Sequence, residues 1–318
     1  MGNKEYRPTL SQLRTFVTIA ENRHFGTAAN KLHISQPSLS QALVALESGL
    51  GIQLIERSTR KVIVTPLGES LLPFAKATLE AADSFVAHSR GAHGRLSGPL
   101  TVGIIPTLAT YILPDFLHLA REHYPDLEPR LVEEQTGHLM QQLRDGQIDI
   151  AVLATPTDTT GMIEYELFDE EFVVVTHDGH PFAGRRDLTL DVLKDLDLLL
   201  LDDGHCLRDQ IVDLCRVVHA AQPASAESAA RASSLTTIMQ LVVAGLGSTL
   251  VPVSAIATEC TRPGLSLATF DNSVIAQRTV GLVCRSSSTR AAEYETLGAL
   301  VTRAFHMTVD RGRVLIGN

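Results

Sequence analysis

Residues 33–50 read HISQPSLSQALVALESGL, and this stretch decides the fold of the N-terminal part of the chain. Ser35 is a favourable helix N-cap, and Pro37 suits the first turn of the helix that follows. In the helix predicted over residues 38–50, apolar side chains recur at helical spacing. These are Leu39, Leu43 and Leu46. The opposite face carries Ser38, Ser40 and Gln41. The stretch therefore predicts a helix with one buried face and one face of small polar groups.

Two shorter amphipathic helices are predicted before this stretch, over residues 10–21 and 26–32, and a hairpin is predicted after it, over residues 52–65. This order is typical of a winged helix-turn-helix, all-α with a small wing, which we place at residues 1–65. In such a domain the third helix reads base edges and the wing contacts phosphate. The predicted base-reading residues are Gln36, Ser38, Ser40 and Gln41. The predicted phosphate contacts are Arg57, Arg60 and Lys61. The alternative is a solvated three-helix bundle with a charged hairpin.

The distribution of charge favours the DNA-binding interpretation. The whole chain has a formal net charge of −9, which alone argues against a nucleic-acid partner. Residues 1–65, however, hold eight Lys or Arg and four Glu, a net charge of +4, which leaves −13 for the rest. A basic N-terminal domain followed by an acidic remainder is expected for a DNA-binding domain joined to a sensor domain.

Residues 16–68 resemble the N-terminal domain of LysR-type transcriptional regulators over their whole length. The helix predicted next, over residues 66–90, is too long and apolar to be a solvated rod. It packs either on its own domain or against the same helix of a second subunit, and the resemblance implies the second arrangement. The resulting dimer would present two recognition helices to a near-palindromic site in double-stranded DNA. Residues 91–99, rich in glycine, are predicted as a hinge.

Residues 100–310 alternate predicted strands and helices, which indicates sheets with helices on both faces. Among these are a strand that begins at residue 172, a strand over residues 196–203 and a closing helix over residues 289–307. We expect a two-lobed α/β regulatory domain of the periplasmic-binding-protein type. Lobe I would comprise about residues 100–168 and 275–310, and lobe II about residues 169–274. No apolar run reaches the roughly 18 residues of a membrane span, and residues 1–10 lack a signal-peptide core. We therefore expect a cytoplasmic protein without a membrane partner.

Residues 202–215, DDGHCLRDQIVDLC, hold two of the four cysteines. The pattern predicts a turn and then a helix, with Cys206 in its first turn, where free N–H groups favour a thiolate. His205 and Arg208 flank this cysteine and favour the same form. Cys215 lies nine residues on, roughly 13 Å along a helix at about 1.5 Å per residue. A disulfide needs Cα atoms within about 7 Å, so the two can bond only if the segment refolds. The alternative is a buried, inert cysteine, which stays open for Cys215.

Two threonines are predicted at the ends of strands, where ligands bind in such folds. Thr107 follows TVGIIP, and Thr136 follows LVEEQ, where it is predicted to cap the next helix. A free thiol with a pKa of about 8.5 is already several per cent ionised near pH 7.4, so ionisation alone accelerates its reactions little more than tenfold. Rapid attack on a peroxide also needs donors that stabilise the departing oxygen. Hydroxyls of the two threonines, with His205 and the cation of Arg278, could supply them.

The stretch LLLLDDGHCLRDQIVDLC, followed by RASSLTTIMQLVVAGLGSTLVP, resembles the hydrogen-peroxide sensors within the LysR-type family, and this likeness covers nearly the whole chain. It implies that peroxide oxidises Cys206 to a sulfenic acid and that Cys215 resolves it to an intramolecular disulfide. It also implies a peroxide-binding pocket formed by Thr107, Thr136, His205 and Arg278. The implied assembly is a tetramer, a dimer of dimers, which rearranges on oxidation, acts as activator or repressor and controls antioxidant genes. RNA polymerase and a thioredoxin- or glutaredoxin-type reductant are the further partners implied.

Three other functions compete with this interpretation. A LysR-type regulator could bind an organic effector between its lobes, with both cysteines incidental. A thiol peroxidase could use Cys206, but the DNA-binding head argues against an enzyme. A metal sensor is the weakest, because the sequence has no pair of ligands at metal-binding spacing, and we expect no cofactor. Outside the redox stretch, we predict that Cys284 is buried in a strand and that Cys260 is a surface thiol.

Overall fold

The structure is a computed structural model that describes residues 6–57, 62–89, 96–218, 231–288 and 290–316. The chain divides into two compact units. The first holds residues 1–94, 144–147 and 287–290, and the second holds residues 95–143, 148–286 and 291–318. Among the described helices, none is long and apolar enough to cross a membrane.

The first unit is a winged helix-turn-helix followed by a long helix. Its elements are α1 (Leu10–Asn22), α2 (Phe25–Lys31), α3 (Gln36–Leu50), β1 (Ile55–Arg57), β2 (Val62–Val64) and α4 (Pro66–Ser89). The Ser35 hydroxyl caps α3, accepting from the backbone N–H of Ser38 at 3.2 Å. The helix begins at Gln36, two residues before the predicted start, because Pro37 fits its second position. The three leucines of α3 are fully buried, as predicted.

The wing is fixed to α3 through one carboxylate. Strands β1 and β2 pair antiparallel, with Ile55 opposite Val64. The Glu47 side chain accepts hydrogen bonds from the backbone N–H groups of Leu54 and Ile55, at 2.8 and 2.9 Å. A glutamate on α3 thus sets where the hairpin starts. The tip of the wing, residues 58–61, lies outside the described residues.

Helix α4 exposes a row of large apolar side chains. Leu67, Phe74 and Phe85 are 46%, 70% and 77% exposed. Their spacings of seven and eleven residues bring them within about 20° of one another around a helix of 3.6 residues per turn. A row of this kind is uncommon on the surface of a single subunit, so it marks a face suited to another apolar surface.

The second unit is a two-lobed α/β fold. Its elements are β3 (Gly98–Ile104), α5 (Pro106–His123), β4 (Leu127–Glu133), α6 (Thr136–Arg144), β5 (Ile150–Thr155), β6 (Met162–His177), β7 (Leu200–Leu201), α7 (Cys206–Val218), β8 (Arg231–Ala232), α8 (Leu235–Val243), β9 (Thr249–Pro252), α9 (Ile256–Glu259), β10 (Leu265–Ala268), β11 (Gln277–Arg285) and α10 (Ala291–Ile316).

One long strand runs through both lobes. The sheet order is β10-β6-β11-β5-β3-β4, and β9 also pairs with β6. Residues 162–171 of β6 pair with β11, and residues 172–177 pair with β9 and β10. Strand β3 is parallel to β4 and β5, so the carboxyl ends of these strands meet at one edge of the first lobe.

Three sequence predictions about this unit were wrong in extent. A strand predicted to begin at residue 172 begins at Met162, because acidic side chains facing solvent interrupt the apolar pattern of its first half. The strand predicted over residues 196–203 has only two ladder residues, Leu200 and Leu201. The closing helix continues nine residues past its predicted end at 307, to Ile316.

Candidate redox and peroxide site

Cys206 is the first residue of α7, as the sequence predicts. A turn delivers the chain to this point: Gly204 has φ +93°, and the backbone N–H of His205 points at the Asp202 carbonyl, 3.4 Å away. His205 is buried and Cys206 is half-buried. The thiol therefore stands where unpaired helix N–H groups and the positive end of the helix dipole favour an anion.

Arg208 contributes less positive charge to this site than the sequence suggests. Its guanidinium pairs with Asp203 at 2.9 Å and with Asp209 at 3.2 Å. Two carboxylates thus surround one cation close to Cys206. The charge of Arg208 is consequently balanced by these carboxylates and is not directed at the cysteine alone.

Cys215 lies on the same helix and faces the core. It is 7% exposed, and its burial raises the pKa of its thiol above the ordinary value. Nine helical positions separate it from Cys206, which is roughly 13 Å of axial rise. Both thiols are free in this structure. Since a disulfide needs Cα atoms within about 7 Å, α7 must open before these two sulfurs can bond.

Thr107, on the first turn of α5, has a buried hydroxyl held by Arg278. The guanidinium donates from Nη1 to Thr107 Oγ1 at 2.9 Å and from Nη2 to the Thr107 carbonyl at 3.0 Å. On its other side Arg278 pairs with Glu170, with both side chains fully buried. Arg278 is therefore an internal ion pair rather than an exposed cation.

A small cavity lies beside the start of α7. It holds about 100 Å³. Its lining residues are Pro106, Thr107, Thr110, Tyr111, Glu133, Leu201, His205, Ser233, Ser234, Leu235, Thr236 and Glu259. Of the residues predicted to form a peroxide pocket, Thr107 and His205 line this cavity. Thr136 and Arg278 do not line it, and neither does Cys206 itself. Arg278 lies behind Thr107 and contacts that residue.

Thr136 does not cap α6 through its side chain, which corrects the sequence prediction. Thr136 is the first residue of the helix. The residue before it, Gln135, accepts a hydrogen bond from the backbone N–H of Leu139 through its carbonyl oxygen, at 3.0 Å. The Thr136 hydroxyl oxygen is buried and has no hydrogen-bond partner among the described residues. The side-chain oxygen of Gln210, on α7, is in the same state. Buried polar atoms without partners mark places where a polar ligand or a water belongs.

The predicted base-reading residues all lie on α3. Gln36, Ser38 and Gln41 are exposed, and Ser40 is half-buried. The Ser38 hydroxyl lies 2.8 Å from that of Ser35, which ties it to the start of the helix. Arg57 ends β1, while Arg60 and Lys61 lie outside the described residues.

Comparison with known proteins identifies the family. The model of the bacterial regulatory helix-turn-helix protein, lysR family, matches residues 10–69, and that of the LysR substrate binding domain matches residues 93–305. The chain belongs to the LysR family of transcriptional regulators.

Relatives and solved structures place it in the OxyR group of that family. It is 46% identical to a probable hydrogen peroxide-inducible genes activator of Mycobacterium leprae, over 96% of this chain and 99% of the relative. It is 66% identical to the H2O2-bound C206S mutant of Corynebacterium glutamicum OxyR, covering 98% of each chain with a TM-score of 0.70. The oxidized form of that protein is 65% identical, with a TM-score of 0.63 and coverage of 98% and 97%. The group consists of regulators rather than enzymes.

Sequence reasoning missed several polar residues of this LysR-type site. Glu170, which pairs with Arg278, lies 108 residues away from it along the chain. The Glu259 carboxylate, 3% exposed, accepts from Thr236 at 2.8 Å and from Tyr111 at 3.4 Å. Burial, and then Glu259 itself, raise the pKa of Tyr111. Glu170 stands two positions before the apolar run FVVVT, which begins at Phe172, and this was its one signal in the sequence. The sequence offered no signal for the tyrosine–glutamate contact.

The two remaining cysteines behave differently from each other. Cys284 is fully buried on β11, as predicted, and its burial raises the pKa of its thiol. Cys260 is not the surface thiol that the sequence suggests. It packs partly buried against the core, and burial, with the neighbouring Glu259 carboxylate, raises its pKa to about 12. Neither position favours a reactive thiolate.

Proposed function

We propose that this LysR-type regulator senses hydrogen peroxide through Cys206 and records the event as a disulfide with Cys215. The observation that carries the proposal is that both free thiols lie on α7, one half-buried at its start and one in the core. The helix cannot keep its form once they bond. Relatives named for peroxide-inducible genes, and a related structure with bound H2O2, support the same signal.

The first chemical step is the oxidation of Cys206. Its thiolate sulfur attacks one peroxide oxygen and the O–O bond breaks. The sulfur loses two electrons and becomes a sulfenic acid, while the departing oxygen leaves as hydroxide and takes a proton to form water. The step needs no cofactor, since peroxide is itself the oxidant.

Hydrogen-bond donors near Cys206 would stabilise the departing oxygen as its charge develops. Thr107 lines the cavity, and because its oxygen accepts from Arg278, its own hydroxyl hydrogen is left to donate. The unpartnered Thr136 hydroxyl and the buried His205 ring are the other donors that we assign to the peroxide. Arg278 acts through Thr107 rather than on the peroxide directly.

The second step closes the switch. After α7 opens, the Cys215 sulfur attacks the sulfenic sulfur, the S–O bond breaks, and water leaves with the proton of the thiol. The new covalent link holds residues 206–215 in a non-helical form. A thioredoxin- or glutaredoxin-type reductant would restore the two thiols, and α7 could then form again.

The DNA-binding unit would convert this change into a change of transcription. We propose that the exposed apolar face of α4 pairs with the same face of a second chain, so that two copies of α3 reach a near-palindromic site. Gln36, Ser38, Ser40 and Gln41 would read base edges, and Arg57, Arg60 and Lys61 would contact phosphate. Two dimers would form a tetramer whose arrangement on DNA changes on oxidation, altering its action with RNA polymerase at antioxidant genes.

A peptide map without reductant tests the switch. Purified protein is treated with about one equivalent of H2O2, the free thiols are alkylated, and the digest is compared with that of untreated protein. We expect a new peptide that joins Cys206 to Cys215, and none in the variant Cys206→Ser. If both cysteines of the wild-type chain stay alkylatable, the redox function is wrong, and the cavity should be screened for an organic effector.

A further inference from the structure

Glu170 is a fully buried carboxylate one layer behind the wall of the cavity. We propose that it is a positioning residue for the peroxide reaction: it holds Arg278 so that the guanidinium donates to Thr107 and leaves the Thr107 hydroxyl free to donate to peroxide. This inference rests on the proposed function, because it concerns the same reaction of Cys206.

The two strands set the ion pair. Arg278 on β11 stands directly opposite Glu170 on β6 in the antiparallel ladder. Glu170 Oε2 accepts from Arg278 Nε at 2.8 Å and lies 2.6 Å from Nη2. Its other oxygen accepts from the backbone N–H of Ser254 at 3.1 Å. Both oxygens of the carboxylate are thus used, and neither side chain has access to solvent that could replace these bonds.

The far edge of the guanidinium then has a defined direction. The guanidinium is planar and its five donors have fixed relative directions, so fixing one edge fixes the other. That other edge donates to the Thr107 hydroxyl at 2.9 Å and to the Thr107 carbonyl at 3.0 Å. Because the Thr107 oxygen serves as an acceptor on this side, its hydrogen must point elsewhere, and Thr107 lines the cavity. Glu170 thereby determines the donor direction of a group that it does not touch.

The charge of Glu170 matters as much as its position. Arg278 is buried, and a buried cation without a counter-charge is strongly disfavoured. In Glu170→Gln the amide oxygen could accept from one donor of the guanidinium, while the amide nitrogen would face the other. We expect Arg278 to leave its alignment with Thr107, although the variant side chain has nearly the same volume.

The test compares two reactions of Cys206 in the full-length protein. The first is oxidation by H2O2, which needs donors at the departing oxygen, and the second is alkylation by iodoacetamide, which needs none there. For Glu170→Gln we expect the rate constant of Cys206 oxidation by H2O2 to fall by about tenfold or more. Loss of one hydrogen-bond donor from the oxyanion hole of a hydrolase lowers kcat by about 10²–10³. We expect the alkylation rate to change by less than about twofold, because it depends on the amount of thiolate alone.

A double variant shows whether the effect passes through Thr107. If it does, Glu170→Gln added to Thr107→Val slows peroxide oxidation by less than about twofold beyond Thr107→Val alone, because coupled residues are not additive. The control is Asp115→Asn, which removes an ion pair between α5 and Arg311 at a distance from the cavity. It should oxidise at the wild-type rate.

Several results would overturn the proposal. These are an unchanged peroxide rate in Glu170→Gln, an equal loss in both reactions, or full additivity with Thr107→Val. If wild-type Cys206 reacts with H2O2 and Glu170→Gln reacts equally fast, only this proposal fails. If wild-type Cys206 does not react with H2O2, the proposed function itself fails. Should Glu170→Gln not fold, the uncharged double replacement of Glu170 and Arg278 by methionine takes its place. It must also lose about tenfold of the peroxide rate, and a wild-type rate in that variant refutes the proposal.

Discussion

The hydroxyl of Thr107 has a hydrogen-bond partner, and the hydroxyl of Thr136 has none among the described residues. The first accepts from Arg278, while the second is buried. Valine has nearly the shape of threonine and removes the hydroxyl. We expect Thr136→Val to raise the free energy of unfolding by about 1 kcal/mol, because it removes an unsatisfied polar group, and Thr107→Val to lower it by about 1–3 kcal/mol.

Both threonine variants should nevertheless lose peroxide reactivity, by about tenfold or more, since each removes a donor that we assign to the reaction. Urea unfolding measures the stabilities, and the rate of Cys206 oxidation measures the function. Stability changes of the same sign in the two variants would contradict the hydrogen-bonding states described above.

The protonation of Cys215 gives a second prediction at the residue scale. Burial raises its pKa above the ordinary value of a thiol, so the folded chain binds this proton more tightly than the opened chain does. The contribution of this proton to the free energy of unfolding is fully present below the thiol pKa of the opened chain, and it is lost as pH rises through the higher pKa of the folded chain. In Cys206→Ser, we expect the alkylation rate of Cys215 to rise by about tenfold per pH unit. This rise should continue at pH values where the alkylation rate of a cysteine in an unfolded peptide is already constant.

Mass spectrometry of alkylated Cys215 between pH 7 and 11, beside an unstructured peptide of residues 207–218, would measure this shift. A midpoint at or below that of the peptide would mean that the thiol is already accessible in the helical form. Burial of Cys215 would then not limit the resolving step, although α7 must still open for the two sulfurs to meet.

At the scale of elements, the packing of α7 sets how readily it opens. Leu207 and Ile211 are buried on the same face as Cys215. Ile211→Val should cost about 0.5–1.5 kcal/mol of that packing, which raises the open population about two- to tenfold. Where opening limits the resolving step, disulfide formation accelerates by the same factor. Rapid-quench alkylation after a pulse of peroxide measures the rate.

Val217→Ala is the control on the same helix, because Val217 is 69% exposed and its truncation leaves the core intact. It should not accelerate disulfide formation, since alanine favours the helix more than valine does. Acceleration in Val217→Ala equal to that in Ile211→Val would contradict the control of opening by core packing.

The turn before α7 has its own constraint. Gly204 has φ +93°, and a Cβ there would stand 2.4 Å from the Gln135 amide oxygen. Gly204→Ala should therefore lower the free energy of unfolding by about 1–3 kcal/mol, through backbone strain and this contact. Gln135→Ala relieves only the contact, so the double variant should recover part of the loss in thermal unfolding. Full recovery would mean that the backbone of this turn is unstrained.

Local signals in the sequence located most elements, and long-range pairings limited the rest. The start of α7 at Cys206 and the cap at Ser35 follow from neighbouring residues. The first ten residues of β6 escaped detection, because their strand character comes from pairing with β11 more than 100 residues later. For the same reason Arg278 was predicted as a cation near the peroxide, whereas its partner Glu170 and its place behind Thr107 depend on that pairing.

At the scale of the whole molecule, the apolar row on α4 predicts how DNA binding depends on assembly. Phe74→Glu combined with Phe85→Glu places two charges on this row. We expect the proposed dimer to dissociate and DNA affinity to fall by about 10² or more, since each chain would then bind one half-site alone. Sedimentation and footprinting measure the two effects. Glu69→Gln, on the opposite side of the helix, is the control and should leave both unchanged.

The placement of both cysteines on one helix has a consequence for how long a stress signal lasts. A short helix forms again within about a microsecond once its chain is free, far faster than thiol exchange. On the proposed mechanism, refolding of α7 therefore adds no delay once the disulfide is reduced. The helix would stay open as long as the disulfide lasts, a time that the supply of reducing equivalents in the cell would set.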